Sequence, residues 1–137
     1  MFIKKIDLDI LNKRGENTMA SHLGIIFTEI GSNYLVAKMP VDHRTHQPLG
    51  ILNGGASVAL AETVGSTAGN CCVDEQQYCV GLDINANHLR PVKNGYVHAK
   101  ASPIHIGKKT QVWEITITDD NQKLTCISRL TLVVLDK

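Results

Sequence analysis

The stretch "GILNGGASVALAETVGSTAG", Gly50 to Gly69, carries one formal charge, Glu62, among small and apolar residues. No other charged residue lies between Arg44 and Asp74, so no neighbour in sequence offsets the burial of this carboxylate. A carboxylate held in such surroundings is suited to act as a general base or as a nucleophile. The competing reading is a helix glutamate with no special role. Ser66 lies four residues on, on the same helical face, where its hydroxyl can donate to the carboxylate.

Asn53-Gly54-Gly55 comes shortly before. Asn-Gly is also a hairpin signal, but the residues that follow read as a helix. A Gly-Gly pair opening a helix leaves bare N–H groups at the positive end of the helix dipole. That arrangement suits a phosphate or a developing oxyanion. No Gly-Lys-Ser/Thr ending follows, which argues against a P-loop, and Glu62 favours the oxyanion. Eight residues separate Gly54 from Glu62, about 12 Å along a helix axis. Each group needs a contact of roughly 3 Å with the reacting centre. Either one of them is inert, or they meet across an interface between two copies of the chain. A twofold axis would then create two equivalent sites.

The elements that must hold these groups are legible from pattern. Residues 55–72 form the one long helix candidate. It is apolar or small on nearly every face, which predicts a helix surrounded by protein. Gly65 and Gly69 each cost about 1 kcal/mol of helix propensity, which packing has to offset. A short helix over residues 6–13, ending near Gly15, precedes two apolar runs broken at Gly31-Ser32-Asn33, a hairpin pattern. Residues 40–48 read as an ordered loop. After Asp74 the period becomes two. Val80, Leu82, Ile84 and Ala86 are expected on one face, with Asp83, Asn85 and Asn87 on the other. Trp113, Ile115 and Ile117 alternate with polar neighbours, and "VHAKASPIHI" and "KLTCISRLTLVVLD" supply two further strands. Long strands with short links predict an antiparallel sheet. The fold class is therefore α+β, one domain over residues 1–137, with a helix against or inside a curved sheet. Long sheet edges invite pairing with a second copy.

Composition narrows the function. With 137 residues, 43% of them hydrophobic and a net charge of +1, the chain fits one globular domain. No basic run is longer than the doublets Lys4-Lys5, Lys13-Arg14 and Lys108-Lys109, which argues against a nucleic-acid or membrane surface. Cys71, Cys72, Cys79 and Cys126 form no C-x-x-C pair and read as free thiols in a reducing cytoplasm. No secretory leader or transmembrane helix is expected.

The segments "MPVDHRT", "QPLGILNGGASVALAETVGS", "GLDINANHLRP", "QVWEI" and "SRLTL" resemble, in order and across nearly the whole chain, the hotdog-fold acyl-CoA thioesterases. The similarity is to the branch of 1,4-dihydroxy-2-naphthoyl-CoA thioesterase of menaquinone biosynthesis and the enterobactin-pathway proofreading thioesterase. The resemblance implies a long helix inside a curved antiparallel sheet, homodimers that pair again into tetramers, and active sites at the dimer interface. It implies hydrolysis of an acyl-CoA to acid and coenzyme A, with no metal and no separate cofactor. Glu62 takes the place of the catalytic carboxylate, Gly54 that of the glycine whose N–H polarises the carbonyl. Gln47 matches a positioning glutamine, and Ser66 the serine that supports the carboxylate. Gly81, the run His88, Leu89, Arg90 and Pro91, and the run His105, Ile106, Gly107, Lys108, Lys109 and Thr110 match stretches that contact coenzyme A. Arg90, Lys108 and Lys109 are also cations suited to diphosphate. Asn53 stands where the family usually has histidine. It cannot hold a proton near neutral pH, so an acyl-CoA-binding protein without turnover is the competing reading.

Overall fold

In the computed structural model, which describes residues 2–137, the patterns above become three helices and six strands. Their order is α1 (Leu8–Arg14), α2 (Met19–His22), β1 (Ile26–Ile30), β2 (Leu35–Pro40), α3 (Gly54–Cys71), β3 (Gln77–His88), β4 (Tyr96–Ile106), β5 (Thr110–Asp119) and β6 (Leu124–Asp136). Asp7 caps α1 by accepting from the Ile10 N–H at 2.8 Å, and Gly15 closes it. The strands form one antiparallel sheet in the order β1-β2-β4-β5-β6-β3. The sheet wraps α3, which packs against β2 through β6. This is the expected α+β architecture, a hotdog domain.

Period-two patterning builds the core. Leu35, Ala37 and Met39 of β2, Val97, Ala99 and Ala101 of β4, and Trp113, Ile115 and Ile117 of β5 are fully buried. So are Leu130 and Leu132 of β6, together with Leu60, Ala61, Val64 and Ala68 of α3. The helix glycines now have a reason. A Cβ on Gly65 would lie 2.7 Å from Leu130 Cδ2, and one on Gly69 would overlap Leu132 Cδ1. Close approach of α3 to β6 offsets the lost helix propensity.

Two expectations are corrected. In a single chain α3 is not surrounded on all sides. Val58, Ala59, Glu62, Thr63, Ser66 and Thr67 form a continuous half-buried face, because the sheet curls round only the other side. The alternation predicted along β3 also fails. Its pairing with β6 shifts register between Gly81 and Asp83. Cys79 points inward, Val80 and Leu82 are 42% and 61% exposed, and Ile84 and Ala86 pack on the core. An extra residue in one strand reverses the phase of every side chain beyond it.

The two sheet margins differ. At β1 the Asn12 side chain acts as a substitute strand: Oδ1 accepts from the Phe27 N–H at 2.8 Å and Nδ2 donates to the Phe27 carbonyl at 3.1 Å. At β3 the Asn70 side chain holds only Cys79 in this way. The remainder of that twelve-residue strand is an open margin with an apolar surface.

Candidate active site

The loop between β2 and α3 fixes where the helix begins. Thr45, 2% exposed, donates its hydroxyl to the Pro40 carbonyl at 2.7 Å. The Thr45 carbonyl then accepts from the Asn53 N–H at 2.8 Å, and the Val92 carbonyl accepts from the Leu52 N–H at 2.8 Å. His46 Nε2 lies 2.8 Å from the Lys93 carbonyl. Arg44 grips Asp42 at 2.7 Å and holds that carboxyl down to about 2, which closes the turn below.

Asn53 is the N-cap. Its Oδ1 accepts from the Gly55 N–H at 2.7 Å, and its carbonyl accepts from Ala56 and Ser57. Its side chain therefore serves the helix and faces a hollow with His46, Ala56 and Ala59, on a different side from Gly54. Gly54, the first helical residue, has an N–H with no acceptor among the described residues. It opens into a cleft of about 360 Å³ lined by Gln47, Ile51, Leu52, Ser57, His88, Leu89, Arg90, Pro91 and Thr125. The absence of a Cβ matters here: one on Gly54 would stand 2.8 Å from His88 Nε2, so the imidazole rests on the first helical turn. Gln47 Oε1 accepts from the Leu49 N–H, which leaves its amide nitrogen free toward the cleft.

Glu62 does not line this cleft. It lies two turns further along α3, half-buried, with no hydrogen bond or ion pair among the described residues. Its carboxylate sits over Gly81, where any Cβ would overlap Oε1. Gly81 thus makes room for the acid and lies in no cleft with the His88–Pro91 run. Ser66 makes no hydrogen bond to Glu62. It lines a hollow of about 300 Å³ between α1, α2 and α3, with Leu11, Arg14, Phe27 and Thr67. The second basic run is elsewhere again. Ile106, Gly107, Lys108 and Lys109 line a hollow of about 340 Å³ with Cys72 and Asp136, at the far end of α3. His105 folds against Gly107, and the Thr110 carbonyl accepts from the Gly107 N–H at 2.9 Å.

The structure therefore unites Gln47, Gly54 and His88 to Pro91, sets Glu62 beside Gly81, and places Asn53, Ser66 and residues 105–110 outside the cleft. It adds Ser57 and Thr125, 3% exposed each, as polar walls. Ser57 is three residues after Gly54 and shares its helical face, a spacing the sequence displays. Thr125 reaches the cleft only through strand pairing. The four cysteines are free, and burial pushes the Cys72 thiol up to about 11.

Residues 49–126 match the model of the thioesterase superfamily. The chain is 50% identical to 1,4-dihydroxy-2-naphthoyl-CoA hydrolase of Escherichia coli, over 96% of this chain and 97% of that one. It is 48% identical to the proofreading thioesterase EntH of Klebsiella pneumoniae, over 96% of both. A crystal structure of a thioesterase from Haemophilus influenzae superposes with a TM-score of 0.97 at 53% identity, covering 98% of this chain and 94% of that one. The chain belongs to the thioesterase superfamily and is a thioester hydrolase of hotdog fold.

Proposed function

We propose that the chain hydrolyses an aryl-CoA thioester, of the kind represented by 1,4-dihydroxy-2-naphthoyl-CoA, to the free acid and coenzyme A. The observation that carries this reading is the Gly54 N–H, unpaired at a helix N-terminus and open to a cleft. It would donate to the thioester carbonyl oxygen, where charge develops as the carbonyl is attacked. Gln47 would orient the substrate or water. Glu62 would attack the carbonyl carbon or take a proton from water, with Ser66 supporting it. Water completes the reaction, and coenzyme A enters only as part of the substrate.

Glu62 and Gly54 cannot address one carbonyl within a single chain, so the working unit is a homodimer. Pairing through the open β3 margin would run two α3 helices antiparallel and bring Glu62 of one copy level with Gly54 of the other. The Cys72 end of the first helix then lies about 15 Å beyond that glycine. This sets Lys108 and Lys109 along the path by which coenzyme A leaves the cleft, with Arg90 nearer the thioester. The same pairing covers the half-buried face of α3. Dimers pair again into tetramers in this reading, and four free thiols suit a cytoplasmic setting.

A panel of aryl- and alkyl-CoA thioesters tests the activity. Glu62→Gln is expected to lower kcat by about 10² to 10⁴-fold. Mixed dimers test the shared site. Gly54→Pro removes the N–H at a helix position proline tolerates, and its Cβ also displaces the His88 imidazole of the same subunit. Each variant alone should be strongly impaired, while Glu62→Gln mixed with Gly54→Pro should recover activity, since one of the two sites regains both groups. No recovery in a confirmed heterodimer would overturn the shared site.

A further inference from the structure

We propose that Ser57 is a catalytic residue whose hydroxyl donates, beside the Gly54 N–H, to the carbonyl oxygen of the bound thioester. This rests on the thioester-hydrolase reading of the cleft. Ser57 is 3% exposed and lines the cleft together with Gly54. Its hydroxyl has no hydrogen-bond partner among the described residues. Ser66 of the same helix is unpaired as well, but it is only half-buried. Thr63 and Thr67 turn their hydroxyls back onto the carbonyls of Ala59 and Thr63, at 2.7 Å each. The corresponding carbonyl for Ser57 is that of Asn53, which already accepts from the N–H groups of Ala56 and Ser57. Buried hydroxyls are normally paired, and the open space beside this one is the cleft.

Direction supports the assignment. Helical side chains lean toward the helix N-terminus and cover the preceding turn. Ser57 therefore overlies the turn that begins at Gly54. The other buried polar wall, Thr125, commits its hydroxyl to the Ile117 carbonyl at 3.1 Å. Ser57 is thus the buried side-chain donor still uncommitted at the position where an oxygen bound to Gly54 would sit.

The reaction balances with these groups. Water adds to the carbonyl carbon and gives one proton to the Glu62 carboxylate, while the carbonyl π pair moves onto oxygen. The Gly54 N–H and the Ser57 hydroxyl donate to that oxyanion. Its electron pair then re-forms the carbonyl, the C–S bond breaks, and coenzyme A leaves as a thiolate that takes the proton from Glu62.

The test uses wild type, Ser57→Ala and Ser57→Thr with benzoyl-CoA, and a non-cleavable ketone analogue in which methylene replaces the thioester sulfur. For Ser57→Ala, kcat is expected to fall about 10²-fold with KM within threefold, the behaviour of a lost oxyanion donor. Ser57→Thr, which keeps the hydroxyl, should recover most of the rate. The infrared carbonyl stretch of the bound ketone should move to higher wavenumber in Ser57→Ala. Full turnover and an unchanged stretch in folded Ser57→Ala would overturn the assignment and leave the hydrolase reading standing. A wild type that cleaves no acyl-CoA, yet whose ketone stretch responds to Ser57→Ala, would overturn the hydrolase reading and keep the Ser57 contact. Failure of wild type to bind the ketone would overturn both.

Discussion

The Glu62 carboxylate occupies the space that a side chain on Gly81 would fill. The acid is positioned by an absence: a bulge in β3 and a residue without Cβ open a niche beside the half-buried face of α3. Gly81→Ala should therefore displace Glu62. The expected result is a fall in kcat of about 10 to 10²-fold on an aryl-CoA, since small misplacements of a reacting group are costly. Melting temperature should change little, because Glu62 makes no hydrogen bond or ion pair among the described residues that its displacement would break. An unchanged kcat would show that the acid works from another position.

Asn53 is tied up as a helix cap, with Oδ1 accepting from Gly55 at 2.7 Å. Asn53→Ala is expected to cost about 1 kcal/mol of stability, and Asn53→Ser to restore most of it. Urea titration reads the difference as a shift in midpoint at constant slope. Equal midpoints for the three proteins would mean the cap contributes nothing.

Gly69 marks a close approach of α3 to the sheet, against Leu132 and with Gln111 Oε1 2.7 Å from where a Cβ would stand. Gln111 is fully buried and accepts from Trp113 Nε1 at 2.9 Å. Gly69→Ala gains helix propensity but overpacks this contact. A net loss of about 1 to 2 kcal/mol is expected, seen as a lower melting temperature. A rise would mean that Leu132 and Gln111 yield freely.

Burial raises the Cys72 thiol from 9.0 to about 11. At pH 8 its alkylation by iodoacetamide should be roughly 10²-fold slower in the native protein than in urea, because the thiolate is the reactive form. The linked stability runs in the same sense. Above pH 9 the unfolded chain loses this proton first, so stability present below pH 9 declines as the pH rises toward about 11. Cys72→Ser should flatten that decline. Equal alkylation rates in both states would remove the basis for it.

Much of this molecule was legible in the sequence where burial is one-sided and local. Trp113, Ile115 and Ile117 alternate as read, and α3 begins and ends within a residue of its expected bounds. The phase of β3 was not legible, because a bulge at Gly81 depends on pairing with β6, not on the strand's own pattern. The small residues along α3 suggested enclosure. They serve approach to Leu130 and Leu132 on one side, and the other side is half-open. Charge and backbone chemistry singled out Glu62 and Gly54, and the structure shows the first half-buried beside Gly81 and the second open to a cleft. The separation of Lys108 and Lys109 from Arg90 follows from strand order, which no local spacing encodes.

Asn12 has a consequence for how copies can add to one another. Its amide occupies the N–H and carbonyl of Phe27 near the start of the five-residue first strand, and α1 packs alongside. Little of that rim is left for a newcomer, whereas β3 offers a long run. Asn12 and its helix thereby disfavour open-ended growth of the row at this side.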